Sequence, residues 1–221
     1  MSGSTHCGGS LKISLTSNMP LKNFLQLIIA LIFSIAVSAQ GNSKNYDLFD
    51  LNKKGNGVQF SEANGDGVAW LNGANFANGI IELDIKGKDV LQQSFVGVAF
   101  HGIDEKTLDA VYFRPFNFRS TDSVRRIHAV QYISNPEFPW YTLRETQNAK
   151  YEKAIPSAPD PNEWFHVKII VDYPHITVYV NNSSSPCLTV DKLNDRQTGK
   201  IGLWVGNTSG GEFTNLVITN K

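Results

Sequence analysis

Residues 164–181 read WFHVKIIVDYPHITVYVN. Apolar residues from Phe165 to Val171 are interrupted by Lys168, which marks a half-buried strand rather than a helix. Asp172-Tyr173-Pro174-His175 turns the chain, and Ile176-Thr177-Val178-Tyr179-Val180 runs back, with proline in a turn position. The stretch is therefore a β-hairpin. Working outward, short runs rich in Val, Ile, Phe and Tyr recur between Gly, Asn, Asp and Pro, and no helix of ordinary length announces itself after residue 40. Strands are expected near 46–50, 56–60, 67–72, 78–86, 94–101, 109–116, 126–133, 164–172, 175–181, 187–191, 199–205 and 212–219. So many strands in a chain of this size require two packed sheets, an all-β antiparallel sandwich or jelly roll.

The N-terminal part is of a different kind. From Met19, read as the start, Lys22 precedes an apolar run from Phe24 to Val37, and small residues Val37-Ser38-Ala39 precede Gln40. This is the pattern of a secretory signal peptide over about 19–39, with residues 1–18 an extension before it. Cleavage after Ala39 leaves 182 residues, one domain over 40–221, secreted or periplasmic in a bacterium and without a membrane anchor. No cysteine stands at the cut for lipidation, and Cys187 remains without a disulfide partner, so stability must come from the core. Beyond residue 39 there are 18 basic and 20 acidic residues, a balance that excludes the basic footprint nucleic acid requires.

Candidate chemistry gathers between Ser94 and Glu145. In SFVGVAFHG (94–102), Val96, Val98 and Phe100 share one parity. Gly97, Ala99 and His101 share the other, where small residues are expected to open a hollow. In the next strand Tyr112 and Arg114 share a face. If the apolar faces coincide, His101, Tyr112 and Arg114 line one surface suited to sugar: a ring for the apolar face of a pyranose, a guanidinium for its hydroxyls. The strand near 126–133 leaves open whether Gln131 or the His128/Tyr132 pair faces that groove. Asn135–Glu163 carries five of the nine prolines and reads as a long ordered loop over the sandwich. The candidate saccharide-binding residues are Tyr112, Arg114, Asn117, Arg119, Gln131, Tyr132, Trp140 and Arg144, with His101 and His128 as proton-handling groups.

Other chemistry lacks a signature. Glu82 and Asp84 form a partial E-x-D like that of laminarinase-type hydrolases, but Gly87 stands where the third acid belongs, and a solvent-facing edge strand accounts for the pair. Glu137 and Glu145 flank Trp140 without forming a recognisable pair. No metal-ligand spacing joins the histidines, and no cofactor is expected. Asn64-Gly65-Asp66-Gly67 offers oxygen atoms that suit a structural calcium, and equally reads as a glycine-rich turn.

SFVGVAFHG, VYFRPFNFR, HAVQY, PWYTLR, WFHVKIIVDYPHITVYVN and GKIGLWVGNTSGGEFTNLVI together resemble a secreted bacterial branch of the concanavalin A-like lectin/glucanase superfamily. The chain is similar to the 3-keto-disaccharide hydrolase family and to LamG-like jelly rolls over about residues 46–219. The resemblance implies a concave sheet as the ligand site and a carbohydrate as partner. It also implies a route in which a C3 ketone acidifies the C2 hydrogen, so that a base such as histidine expels the group at C1. Those relatives often carry Glu-x-Gln where this chain reads Ala129-Val130-Gln131. A glycosidase-like hydrolase or lyase, a non-catalytic glycan-binding module and a protein-interaction domain all remain open at this point; oligomeric state is not legible.

Overall fold

The computed structural model describes residues 46–48 and 57–221, so the expected signal segment lies outside the described residues. Among the described residues, thirteen strands form two antiparallel sheets. They are β1 (Tyr46–Leu48), β2 (Gly57–Phe60), β3 (Gly67–Phe76), β4 (Gly79–Lys86), β5 (Val96–Gly102), β6 (Leu108–Phe113), β7 (Val130–Asn135), β8 (Glu152–Lys153), β9 (Phe165–Asp172), β10 (His175–Val180), β11 (Leu188–Asp191), β12 (Gly199–Val205) and β13 (Gly211–Asn220). One sheet has the order β1-β2-β13-β4-β9-β10-β11, the other β3-β12-β5-β6-β7-β8. The sandwich read from the sequence is therefore the observed fold.

Alternation decides which face each strand buries. In β4, Ile81, Leu83 and Ile85 are fully buried while the residues between them are half-exposed. Such burial contributes about 1.5–3 kcal/mol per aliphatic side chain. The two sheets meet at Phe113 of β6 and Phe165 of β9, whose rings pack edge to face at 5.3 Å. This contact makes Val111 and Phe113 the inner face of the six-stranded sheet. Tyr112, Gly97 and Trp204, in register with one another, form its outer face.

Among the described residues there are three short helices, two of which replace ends of expected strands. Residues 114–116 and 126–129 leave the sheet: α1 (Pro115–Phe118) follows β6, and α2 (Ser123–Arg126) precedes β7. Pro115 removes a backbone donor that a ladder needs and suits the first turn of a helix. Asp122 caps α2, its Oδ1 accepting from Val124 N at 2.8 Å. The proline-rich segment holds α3 (Trp140–Thr146) and β8, a two-residue strand that sequence periodicity cannot reveal. The Glu82/Asp84 pair sits on β4, the fourth of seven strands, not on an edge. Asp84 there holds His166 at 2.8 Å and Asn215 at 2.6 Å, so the pair belongs to a polar cluster on the sheet's outer face.

Candidate functional site

A cleft of about 900 Å³ lies on the outer face of the six-stranded sheet, a size in the range of small-molecule sites. Its floor comes from β6, β7 and β12, and its walls from the residue 87–95 loop, α1, α2 and α3. Tyr112, Arg114, Asn117, His128, Trp140 and Arg144, six of the residues expected from sequence, line it. Gln131 lies under them, paired in register with Tyr112.

The hollow expected over Gly97 is filled by the chain itself. Gly97 pairs with Tyr112 on one side and Trp204 on the other, and those two rings lie 5.0 Å apart. A Cβ at Gly97 would stand 2.6 Å from the Tyr112 Cα, so glycine is required for the strands to approach. Tyr112 is buried, packed against Phe95 and covered by the Arg114 guanidinium 4.8 Å above its ring. The ring therefore cannot stack on a sugar. Arg114 is also committed to the protein. It donates to His128 O at 2.9 Å and to the oxygens of Tyr112 and Gln131, and Tyr112 donates to Gln131 Oε1 at 2.8 Å. Guanidinium carries only donors, so the Gln131 amide oxygen must face it. Tyr112, Arg114 and Gln131 thus form a locked floor.

On that floor sits a charged group. Glu152 of β8 pairs in register with Gln131 and is buried. Arg144 grips it twice, Nε to Oε1 at 3.2 Å and Nη2 to Oε2 at 3.0 Å. Arg114 approaches to 3.5 Å. His128 Nδ1 lies 2.7 Å from Oε2, an ion-pair distance without the alignment of a full hydrogen bond. Burial lowers the His128 pKa below the usual 6.5, the nearby Glu152 opposes the shift and Arg144 reinforces it. The imidazole is consequently neutral at pH 7. Asn117 sits between these elements, donating to His128 O at 3.3 Å and accepting from Arg125 Nε at 3.2 Å.

Three expected site residues lie elsewhere. His101 is not with Tyr112 and Arg114, because Phe100 and His101 of β5 together oppose Ile201 of β12. This β-bulge, with His101 at φ +48°, breaks the alternation and turns the imidazole inward against Phe76 at 5.9 Å. There it meets Lys192 Nζ at 2.7 Å from Nδ1, and its pKa falls to about 4, by burial first and then the lysine charge. Tyr132 is also on the inner face, donating to Asp109 at 2.6 Å. β7 begins only at Val130, so Gln131 faces the cleft by parity and His128 reaches it from the preceding turn. Arg119 is exposed and paired with Asp160 at 2.9 Å, outside the cleft lining. The flanking acids Glu137 and Glu145 are exposed and do not line it. The acid of the site is Glu152, which sequence reasoning missed: it lies in the proline-rich segment, and its only signal was a charge between Tyr151 and Lys153.

Asp66 of the glycine-rich turn also lines the cleft. No cluster of three or more metal-ligating side chains occurs among the described residues.

A comparison with curated proteins finds no match. Among solved structures, the chain is similar to the carbohydrate binding module CBM66 from Bacillus subtilis, with TM-score 0.55 and 15% identity over 79% of this chain and 90% of that one. It is also similar to a Bacillus subtilis protein with a galectin-like fold, TM-score 0.53 and 13% identity over 80% and 87%. The Bacillus licheniformis beta-glucanase gives TM-score 0.51 and 15% identity over 83% and 89%. These likenesses establish the concanavalin A-like fold. The family profile described as a 3-keto-alpha-glucoside-1,2-lyase-like domain matches residues 38–219, nearly the whole of the strand-bearing chain, and the protein belongs to that carbohydrate-active family.

Proposed function

We propose that the cleft binds a saccharide oxidised to a ketone at C3 and that His128 is the base that opens it by elimination. The observation that carries this reading is the His128–Glu152 pair at 2.7 Å, in which His128 lines the cleft and Glu152 is buried behind it. A ketone at C3 acidifies the C2 hydrogen, so a neutral imidazole suffices to remove it. Glu152 stabilises the imidazolium that forms, as an orienting carboxylate does in other His-based sites. The electron pair from C2–H forms the C1=C2 bond as the C1–O bond breaks. The proton gained by His128 returns to the leaving oxygen, giving an enone and an alcohol. Water adding across the enone afterwards completes a net hydrolysis. The cationic Arg144 and Arg125 that line the cleft suit the enolate charge developing at the C3 oxygen.

This reading needs one carboxylate as orienter rather than the acid pair of ordinary glycosidases. The signal-like segment over 19–39 supports export as the setting in which such a sugar is met. The test is product analysis by NMR after incubation with a 3-keto-α-glucoside and with the unoxidised glucoside. Turnover of the keto sugar alone, reduced at least about 100-fold in His128→Asn, is expected. Tight binding of both sugars without turnover would replace the enzyme reading with a glycan-binding module.

A further inference from the structure

Positive charge in the cleft is unevenly spent. The guanidiniums of Arg114, Arg125 and Arg144 all line it, and two of them share one carboxylate: Arg144 bonds Glu152 at 3.0 Å and Arg114 stands 3.5 Å from it. Arg125 is the exception. Its Nε donates to Asn117 Oδ1 at 3.2 Å and its Nη2 to Phe116 O at 2.7 Å, both neutral acceptors. No carboxylate among the described residues comes within ion-pair distance of its guanidinium. Asp122 accepts from the Arg125 backbone N–H at 3.4 Å, not from its side chain. Asp66 also lines the cleft, yet the three guanidiniums still outnumber the carboxylates of Asp66 and Glu152. The unspent arginine is held in place. Asn117 is 4% exposed and donates to His128 O at 3.3 Å, so one buried side chain braces both Arg125 and the backbone of the base. A guanidinium carries five N–H donors, and Nη1 of Arg125 makes no hydrogen bond among the described residues. A planar cation fixed along one side, with donors left over on the other, fits two oxygens of a carboxylate or a sulfate. An enolate does not fill that place in the resting complex, because its charge develops only during reaction.

We infer that Arg125 selects a saccharide bearing an anionic substituent, a carboxylate or a sulfate ester, over its neutral counterpart. Selection of this kind rests on the reading of the cleft as a saccharide site and is independent of the elimination step. C1, C2 and C3 carry the reacting groups of the proposed chemistry. The substituent therefore belongs at C6, where a uronate or a 6-sulfate leaves those carbons untouched.

Methyl 3-keto-α-glucoside, its C6 carboxylate and its 6-sulfate share one leaving group and differ at C6. The experiment compares their turnover by wild type, Arg125→Gln and Arg125→Lys, with calorimetric binding of the matching unoxidised methyl glycosides. Wild type is expected to favour at least one charged substrate by about tenfold or more in kcat/KM, carried by KM, the range of a charge-assisted hydrogen bond. Arg125→Gln should bring that ratio to within about twofold, and Arg125→Lys should keep part of it. A fall in kcat common to all three substrates belongs to the enolate and leaves the ratio unchanged, so the two roles separate. Preference for the carboxylate alone supports a uronide as ligand, and preference for both anions supports recognition of charge whatever its source. No preference in wild type, or one that survives Arg125→Gln intact, overturns the selection. Should Arg125→Gln fail to fold, salt decides: the wild-type preference shrinks as NaCl rises from about 0.05 to 0.5 M, and a preference indifferent to salt overturns the proposal. If wild type turns over none of the substrates, the elimination reading falls by itself. Calorimetry then decides the selection: tighter binding of a charged glycoside, lost in Arg125→Gln, supports it, and equal or absent binding overturns it.

Discussion

Replacing Asp109 by asparagine should cost this fold about 3–5 kcal/mol, the range for breaking a buried ion pair from one side. The magnitude follows from the saturation of the carboxylate. Oδ1 accepts from Tyr132 at 2.6 Å and Asn194 at 2.7 Å, while Oδ2 accepts from Lys192 at 2.7 Å and lies 3.5 Å from Arg196. All four partners offer donors. An asparagine retains one acceptor oxygen and turns an NH₂ donor toward the other pair, so at least one donor meets a donor. Where the NH₂ faces Lys192, whose side chain has no solvent exposure, the ammonium keeps His101 Nδ1 as its one remaining acceptor among the described residues. Urea unfolding followed by tryptophan fluorescence, with calorimetry alongside, measures the loss. At roughly 2–4 °C per kcal/mol for a domain of this size, the midpoint should fall about 6–20 °C. A double-mutant cycle with Lys192→Met sharpens the test, because two changes to one pair must cost less together than their sum, by about 1 kcal/mol or more. A loss under about 1 kcal/mol, or strict additivity in the cycle, would refute the reasoning that this cluster holds the sandwich end together.

The same cluster makes stability pH-dependent. His101 has its pKa lowered from 6.5 to about 4, so between those values the unfolded chain takes up a proton that the folded chain refuses. Stability from this source is complete above pH 6.5 and declines as pH falls toward 4, by about 3 kcal/mol in all; a flat profile over that window in a His101→Gln comparison would argue against it. At Gly97, substitution by alanine should destabilise by about 1–3 kcal/mol or more, because the new Cβ meets backbone of β6 that cannot give way. Denaturation of Gly97→Ala checks this, and a neutral outcome would mean that the strands can separate without cost.

Much of the architecture was legible because period-two alternation is a local property. Ile81-Glu82-Leu83-Asp84-Ile85 announces its buried face to any partner sheet, and every strand expected from such patterning exists within a few residues among those the structure describes. The cationic and aromatic content of the cleft was legible for a related reason: Arg114, His128, Trp140 and Arg144 gather in one contiguous stretch, and that stretch folds over one face. Glu152 was not legible. Its strand is two residues long, and it acquires meaning only when β8 hydrogen-bonds to β7 and places the carboxylate opposite Gln131.

The residues alone determined an antiparallel sandwich, the family resemblance and the segment in which chemistry gathers, because hydrophobic period and motif are written in neighbouring positions. Only the tertiary structure decided which histidine serves the cleft. A single extra residue in β5 swings His101 into the core to join Lys192 and Asp109, whereas the turn before β7 carries His128 outward to Glu152. Strand parity predicts a side chain's face only while the register holds, and register is a property of paired strands that no one strand contains.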